Sequence, residues 1–156
     1  MRQLEKADFD IRLISPGDDL TPPKSEILLN GKPTGETLAG AVLEAALEWQ
    51  GRYLVFTTDD IPDEEMLGIH YLDKRLGRVD ECTLGGMYST GTFKALQLIE
   101  PNRVAFRFIG GLAWTVELLD QPGFRLPWFS EPRGVHRSFG FTRHFKVHCS
   151  PVQAAG

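Results

Sequence analysis

The sequence predicts an all-β domain, mostly antiparallel, with about nine or ten strands and little helix. Its 16 glycines and 10 prolines divide the chain into short segments, as regularly spaced turns do. Several of these segments alternate apolar and polar residues, which is the pattern of a strand with one buried face. Strands of this number and length predict either a β-sandwich or an open barrel.

The 156 residues are predicted to form a single domain, 1–156, because this length suits one hydrophobic core. Hydrophobic residues make up 42% of the chain and charged residues 24%, a composition that excludes a disordered protein. No stretch approaches the roughly 20 apolar residues of a membrane span. We expect residues 1–24 to be irregular and residues 150–156 to form a frayed tail.

Two features of the sequence predict a cytoplasmic protein. The first residues, MRQLEKADFD, lack the apolar region of a secretory signal peptide. Cys82 and Cys149 lie far apart and have no metal-binding spacing. We therefore expect two reduced thiols rather than a disulfide scaffold.

The N-terminal strands are bounded by turn signals. Residues 9–14 could form a strand that ends in a loop at residues 15–23. Residues 27–29 enter a turn at Asn30-Gly31, two residues that readily take the positive φ angles of a tight hairpin.

The middle of the chain predicts a buried strand between two hairpins. Residues 42–50 fit a strand or a helix, and we favour the strand because Gln50-Gly51 then turns directly into residues 53–58. Residues 53–58 are apolar on both faces, which indicates a central strand covered on both sides. Residues 67–73 and 78–84 are predicted to pair across a four-residue turn.

Residues 103–110 and 113–120 form the clearest hairpin in the sequence. The apolar residues of both strands are even-numbered: Val104, Phe106, Phe108, Trp114, Val116 and Leu118. Directly opposed residues point to the same side of a sheet, so both sets face the core only across an odd-numbered loop. We expect a loop of three residues drawn from residues 110–113.

The C-terminal part is less regular. A strand at residues 92–100 precedes the clear hairpin, and residues 121–134 read as an irregular, proline-containing crossing. The last strand is predicted at residues 138–149, with Arg143 on its apolar side. The apolar residues that alternate along this strand are Phe139, Phe141, Phe145 and Val147.

Charge is distributed unevenly along the chain. Residues 1–100 contain 18 acids and 10 bases, whereas residues 101–156 contain 3 acids and 7 bases. The acidic part argues against a nucleic-acid partner and suits a basic protein partner, although solvated surface is the alternative. In residues 125–146, arginines alternate with aromatics, as in some single-strand-binding surfaces. We expect instead that these aromatics are core and the arginines form the outer face.

The strongest local feature is an acidic segment with five carboxylates in seven residues: Asp59, Asp60, Asp63, Glu64 and Glu65. Such a segment could contact a basic partner, because like charges repel until a cation neutralises them. It could also be a short capped helical turn, with Asp60 as the N-cap. A calcium loop is a third interpretation, but this run lacks the alternate spacing and the central glycine of such loops.

No catalytic, cofactor-binding or metal-binding set is predicted. His144 and His148 lie four residues apart on a predicted strand, roughly 13 Å apart, which is too far to share one metal ion. No carboxylate can be assigned to His70 or His136 from the sequence. Ser89 lies among glycines but lacks the spacing of a nucleophile elbow. We therefore expect a protein that is not an enzyme.

Longer runs of the chain resemble a known class of bacterial proteins. The runs are YLVFTTDDIPDEEMLGIHYLD (53–73), LGGMYSTGTFKALQLIEPNRVAFRF (84–108), Trp114, RLPWF (125–129) and GVHRSFGF (134–141). Together they resemble proteins encoded beside bacterial polymorphic toxins, and in particular the immunity proteins of contact-dependent growth inhibition systems.

The resemblance implies a cytoplasmic toxin inhibitor that forms a heterodimer with the C-terminal domain of a cognate toxin, often a nuclease. It implies no cofactor, no membrane contact and no residue-level motif. The acidic segment is our own candidate for the contact, and the aromatics Trp49, Tyr53, Tyr71 and Tyr88 could anchor such an interface. For at least Trp49, however, the fold favours a position in the core. The alternative function is a small-molecule-binding or hydrolytic β-barrel, which would need a pocket lined by convergent polar groups.

Overall fold

The computed structural model describes residues 1–61, 65–85, 91–124, 131–137 and 142–152, with the backbone alone for Phe124. These residues form thirteen strands and no helix, so the predicted all-β class is confirmed. In chain order the strands are β1 (Arg2–Gln3), β2 (Phe9–Ser15), β3 (Lys24–Leu29), β4 (Lys32–Ala39), β5 (Val42–Trp49), β6 (Arg52–Thr58), β7 (Leu67–Leu72), β8 (Arg78–Leu84), β9 (Lys94–Ile99), β10 (Arg103–Arg107), β11 (Leu112–Phe124), β12 (Val135–Arg137) and β13 (Thr142–Pro151).

The strands form three antiparallel sheets. The central sheet has the order β1-β5-β6-β7-β8-β12, a second sheet the order β13-β11-β10-β9, and a third the order β2-β3-β4. The sheets stay separate within the described ranges, so the sandwich is the architecture of the two that we expected. In the same ranges, no helix has the length and apolarity that crossing a membrane requires.

The main core lies between the central sheet and the β9–β13 sheet. Alternate side chains of β5 to β8 meet the apolar face of β10, β11 and β13. Its largest fully buried side chains include Trp114, Tyr71, Phe56, Phe106 and Phe145. Phe56 packs against Phe106 with ring centroids 5.2 Å apart, in the edge-to-face geometry that aromatic pairs prefer.

The opposite face of the central sheet is covered in part by the β2-β3-β4 sheet. A second, smaller core forms there, where Phe9, Ile27 and Leu38 pack on Ala46 and Val55. β6 is therefore buried on both faces, because Leu54 and Phe56 enter the main core and Val55 enters the second. This confirms the central strand that the apolar run at residues 53–58 predicted.

Residues 42–49 are a strand, as we expected, although Ala and Leu are also good helix formers. Ala45, Leu47 and Trp49 face the main core, while Ala46 faces the second core. Burial on both faces explains why the alternation in this segment is incomplete. Gln50 and Gly51 have positive φ angles and form the tight turn into β6.

Both predicted hairpin turns are found. Asn30 and Gly31 have φ angles of 52° and 77° and connect β3 to β4, where Leu29 is opposite Lys32. In the β10–β11 hairpin, Phe106 is opposite Trp114 and Val104 is opposite Val116, so the predicted odd-numbered loop is confirmed. The position of the loop was wrong: it is centred on Gly110, because Arg107 already pairs with Ala113.

The chain ends contain more pairing than the sequence suggested. Residues 1–24 include β1 and β2, separated by turns and followed by the loop 16–23. At the C-terminus, β13 pairs with β11 as far as Pro151. Phe139 and Phe141 of the predicted last strand lie outside the described residues, as do residues 125–130 and 153–156.

Candidate functional site

The acidic segment follows β6 directly. Asp59 and Asp60 leave the end of this doubly covered strand, and Glu65 precedes β7. Asp59 and Glu65 are half-buried, whereas Asp60 is exposed and has a φ angle of 58°. Asp63 and Glu64 lie outside the described residues, so the predicted set of five is described at three positions.

Asp59 lies in an environment that opposes its charge. Burial raises the pKa of the Asp59 carboxyl above its usual range, and the nearby Glu65 carboxylate raises it further, while His70 acts in the opposite direction. Within the described ranges, no lysine or arginine nitrogen lies within 4.0 Å of Asp59, Asp60 or Glu65. The charge of this segment is therefore not neutralised by ion pairs in the described part of the chain.

Exposed apolar side chains lie at the same end of the strands. Among the residues that the structure describes, the large apolar side chains that are 38% exposed or more are Leu13, Ile14, Leu20, Val42, Ile61 and Ile99. All except Ile99 belong to the end of β2, the loop 16–23, the start of β5 or the segment after β6. We call this end of the molecule, with Asp59, Asp60 and Glu65, the acidic–apolar end.

Backbone hydrogen bonds hold these elements together at one end. The Gly40 N–H donates to Pro23 O at 2.8 Å, which joins the loop 16–23 to the end of β4. The Ala41 N–H donates to Thr58 O at 2.8 Å, which joins the start of β5 to the end of β6. Inside the loop, the Asp18 carboxylate accepts from the Leu20 and Thr21 N–H groups at 2.8 Å. These two bonds lower the pKa of Asp18.

A buried histidine lies beside the acidic segment, on the same face of the central sheet as Thr57. His70 is 1% exposed, and its Nδ1 lies 2.8 Å from Glu81 Oε2. Its Nε2 lies 3.0 Å from the Thr57 hydroxyl, which in turn donates to Ala39 O at 2.9 Å. The network thus connects β6, β7 and β8 of the central sheet to the end of β4.

The direction of these hydrogen bonds decides what the network can do. The Ala39 carbonyl can only accept, so the single hydrogen of the Thr57 hydroxyl is used there. His70 Nε2 must then donate to Thr57, and Nδ1 faces a carboxylate that accepts. In hydrolases of the hydroxyl–imidazole–carboxylate type, Nε2 instead accepts the hydroxyl proton. Thr57, which is 1% exposed, is therefore a structural hydroxyl in this arrangement.

Glu81 is stabilised in its ionised form by this contact. The hydrogen bond with His70 lowers the pKa of the Glu81 carboxyl, burial opposes the change, and the charges of His70 and Arg78 lower it further. Arg78 Nη1 lies 3.4 Å from the second carboxylate oxygen. The charge of His70 thus acts on both Asp59 and Glu81, but the pKa of Asp59 is raised and that of Glu81 is lowered.

Gly68 leaves the space that the network occupies. A Cβ atom at this position would lie 2.7 Å from His70 Nε2 and 2.9 Å from Thr57 Oγ1. We expect Gly68→Ala to destabilise the protein by about 1–3 kcal/mol in chemical denaturation, since the network must shift to admit the methyl group. Gly111→Ala is the matched control, because its Cβ would meet nothing within 4 Å, and its effect should stay within about 0.5 kcal/mol. Equal effects of both substitutions would contradict this explanation.

A groove of about 420 Å³ opens beside the network. One wall is the end of β4 with the loop 16–23, and the other is formed by β7 and β8. The polar residues that line it include Lys24, Glu36, Thr37, Arg78, His70 and Glu81, and the apolar ones include Leu72 and Leu76. Within the described residues, no group of three or more His, Cys, Asp or Glu side chains could hold a metal ion.

The other predicted candidates are distributed over the fold. His148 is exposed on β13 near Glu117, and His136 on β12 lies 3.0 Å from Gly85 O. Trp49 is buried, and its indole N–H donates to Pro101 O at 3.0 Å. Trp49 and the fully buried Tyr71 are core residues. The core interpretation of Trp49 is therefore confirmed, whereas the expectation that Tyr71 could anchor an interface was wrong.

Tyr53 is half-buried and packs against Phe9 in a tilted geometry, with ring centroids 5.5 Å apart. Tyr88 and Ser89 lie outside the described residues. Cys82 is a buried free thiol, and burial raises its pKa to about 12. Cys149 is an exposed free thiol on β13. The two cysteines therefore form no disulfide.

The expectation that the C-terminal arginines form an outer face was wrong for Arg137. Arg143 is buried in phase with Phe145 and Val147 of β13, on the apolar side that the sequence predicted. Arg137 and Arg143 are 3% and 11% exposed and lie near the Glu131 carboxylate, at 3.0 Å and 3.9 Å. Arg137 also contacts Asp80 at 3.0 Å and lies over the Phe145 ring. Buried arginines of this kind pair with carboxylates because an isolated charge in the interior is costly.

Sequence reasoning missed the pairing of His70 with Glu81, although a signal was present. The predicted hairpin of residues 67–73 and 78–84 has a four-residue turn. That turn places residue 73 opposite 78, and it therefore places His70 opposite Glu81, which is the register found. The contact of His70 with Thr57 depends on the β6–β7 register, which residue patterns did not specify.

Comparisons of the chain with protein-family models, with curated proteins and with solved structures give no match. Function must therefore be inferred from the residues of this chain. Two features stand out: the acidic–apolar end, and the groove beside the buried histidine.

Proposed function

We propose that this protein is a non-enzymatic immunity protein that binds and neutralises a cognate toxin domain of a contact-dependent growth inhibition system. It would act in the cytoplasm of the cell that it protects, as a heterodimer with that domain and without a cofactor. The toxin domain is proposed to be a nuclease. The observation that carries the proposal is the acidic–apolar end, where carboxylates without ion pairs in the described chain lie among exposed apolar side chains.

The charge of this end suits a nuclease as the partner. A nuclease holds its substrate through lysines and arginines that contact phosphates. Asp59 and Glu65 repel each other in the free protein, since burial and mutual charge both raise the pKa of Asp59. Cations of a partner would remove this repulsion, so complex formation gains from the same charges that are unfavourable in the free protein.

The apolar side chains complete the expected composition of an interface. Protein interfaces combine an apolar centre with a polar rim, and a few residues contribute most of the binding energy. Ile61 and Val42 lie beside the carboxylates and are 44% and 38% exposed. They are the residues of this end that could occupy the centre of such an interface, with Asp60 at its rim.

The test is a calorimetric titration with the toxin domain encoded beside this gene, combined with an assay of its toxicity. We expect a 1:1 complex with a Kd in the nanomolar range or below and loss of toxicity. A folded protein that neither binds the domain nor protects cells from it would overturn the proposal.

Asp59→Asn separates stability from binding. The substitution removes a carboxyl group whose pKa is raised in the folded protein and whose charge is therefore unfavourable there at pH 7. The free energy of unfolding should rise by up to about 0.5 kcal/mol at pH 7. The partner should bind more weakly, because a carboxylate is lost. Thermal denaturation and the titration above measure the two effects, and Asp60→Asn, at an exposed carboxylate of the same end, is the control for the effect on stability. A loss of stability with Asp59→Asn would contradict the proposed repulsion.

The alternative function is a small-molecule-binding or hydrolytic protein, and the groove beside His70 and Glu81 favours it. One hydrogen bond and the burial of two residues weigh against hydrolysis at this groove. The Thr57 hydroxyl donates to Ala39 O, and both Thr57 and His70 are almost completely buried. A hydrolytic role would require these groups to become accessible to a substrate.

A further inference from the structure

We propose that the free edge of β4 and the adjoining groove bind an extended segment of the toxin domain by strand addition. This inference rests on the proposed function and adds a second contact to the acidic–apolar end. Strand addition uses unpaired backbone groups at a sheet edge for affinity and nearby pockets for side-chain selection.

β4 is an edge strand whose backbone direction can be determined from its pairing. In the described ranges its one neighbour in the sheet is β3, with Ser25 opposite Leu38 and Glu26 opposite Thr37. The Gly40 N–H donates to Pro23 O, so the backbone N–H of Gly40 points towards β3. Backbone N–H and C=O groups alternate in direction along an antiparallel strand, so those of Leu38 also point towards β3. The N–H and C=O groups of Thr37 and Ala39 consequently point away from β3.

One contact supports this direction independently. Ala39 O accepts from the Thr57 hydroxyl at 2.9 Å, and Thr57 belongs to the central sheet rather than to β3. Three groups on the same edge have no hydrogen-bond partner in the described part of the chain: Thr37 N–H, Thr37 C=O and Ala39 N–H. These donors and acceptors alternate along the edge, which is the pattern that an additional strand would pair with.

The two halves of β4 differ in how open their edge is. Natural edge strands are protected by lysine, proline or bulges. The first half has all three, with Lys32, Pro33 and an irregular register near Gly35, whose φ angle is 80°. The second half, residues 36–39, has none of them and lines the groove. The unprotected part of the edge therefore coincides with the space that a segment could occupy.

The groove walls indicate the kind of segment that would fit. Lys24 and Glu36 lie on the β4 side, and Arg78 and Glu81 lie on the opposite side, so both signs of charge are available. Leu72 and Leu76 also line the groove but are only 3% and 7% exposed, so they offer little apolar contact. Side chains of an extended segment alternate in direction. The segment should therefore direct charged or polar side chains, rather than large apolar ones, at the walls of the groove.

The test uses Thr37→Pro. Proline removes the Thr37 N–H, which does not take part in the β3–β4 pairing, so the sheet can keep its ladder. We expect binding of the toxin domain to weaken by about 10-fold or more, because a backbone hydrogen bond is lost and the ring obstructs the edge. Thr37→Ala keeps the backbone group and should bind like the unchanged protein. Circular dichroism and thermal denaturation verify that both variants fold.

Hydrogen exchange of the Thr37 and Ala39 amides provides a second measurement. Both should become protected in the complex. Tight binding without this protection, or equal affinity of the proline and alanine variants, would overturn the inference and leave the immunity function intact. Absence of any binding would overturn both. Self-association that Thr37→Pro abolishes would show that a second copy of the chain occupies the edge, which would also overturn the inference.

Discussion

The variant Asp59→Lys, Asp60→Lys should associate with the toxin domain about 10- to 100-fold more slowly at low ionic strength. Opposite charges accelerate the encounter of two proteins, and this substitution turns attraction into repulsion at the proposed contact. Stopped-flow measurements at several salt concentrations would give the association rates. The difference should shrink at high salt, since the screening length is about 3 Å at 1 M. Protection of cells should be lost.

A matched control is available at the opposite end of the central sheet. Glu100 and Asp120 lie beside the turn that follows β5, where Asp120 contacts Gln50 and Glu100 contacts the N-terminus. The variant Glu100→Lys, Asp120→Lys changes the net charge equally at that end. If both double variants slowed association to the same degree, net charge rather than the acidic–apolar end would direct the encounter.

His70→Ala should destabilise the protein by about 3–5 kcal/mol, the largest effect on stability that we expect from a polar residue. Without the histidine, the half-buried Glu81 carboxylate and the buried Thr57 hydroxyl each lose a hydrogen-bond partner, and losing a partner costs a buried polar group about 1–3 kcal/mol. The substitution also leaves a cavity beside Thr57. His148→Ala is the control: this histidine also contacts a carboxylate, at 3.3 Å, but its side chain is 54% exposed. Its substitution should change stability by less than about 1 kcal/mol.

The same network predicts how stability depends on pH. The pKa of Glu81 is lowered in the folded state, so the ionised carboxylate stabilises the fold above its unfolded pKa of about 4.3. This contribution is lost as the pH falls through the folded value. The contribution of Asp59 has the opposite sign, because its pKa is raised in the folded state. Protonation of Asp59 at low pH removes its repulsion with Glu65 and therefore favours the fold. Urea denaturation between pH 3 and 7 measures this dependence. The free energy of unfolding should fall less towards acid pH in the His70→Ala variant than in the unchanged protein, because the variant lacks the contact that lowers the pKa of Glu81.

Residue patterns predicted the elements that depend on local chemistry. Asn30 and Gly31 supplied their own positive φ angles, so that turn could be assigned without knowledge of its surroundings. The even-numbered apolar residues of β10 and β11 specified the parity of their loop. They could not specify its position, because loops that shift the register by two residues keep the same faces inside.

Arrangements between sheets were not predictable in the same way. The third sheet packs on the central one through Phe9 and Val55, which are far apart in the sequence. The patterns of β2 and β6 indicate that each has a buried face but do not say what covers it. The His70 network depends on that packing, because the hydrogen bond from the Thr57 hydroxyl to Ala39 O joins the central sheet to the third sheet. For the candidate site, the sequence placed Asp59 and Asp60 directly after a buried strand, as the structure has them, and their role in binding stays a prediction.

The double burial of β6 has a consequence for the thermodynamics of association. A strand paired along both edges and covered on both faces has little conformational freedom to lose. Asp59 is attached directly to its end, so a partner that contacts this carboxylate encounters a position already fixed by the core. Ordering of flexible groups is one of the main entropic penalties of complex formation, and it should be small at this residue. Selectivity among partners would then arise from how well their cations match one rigid point.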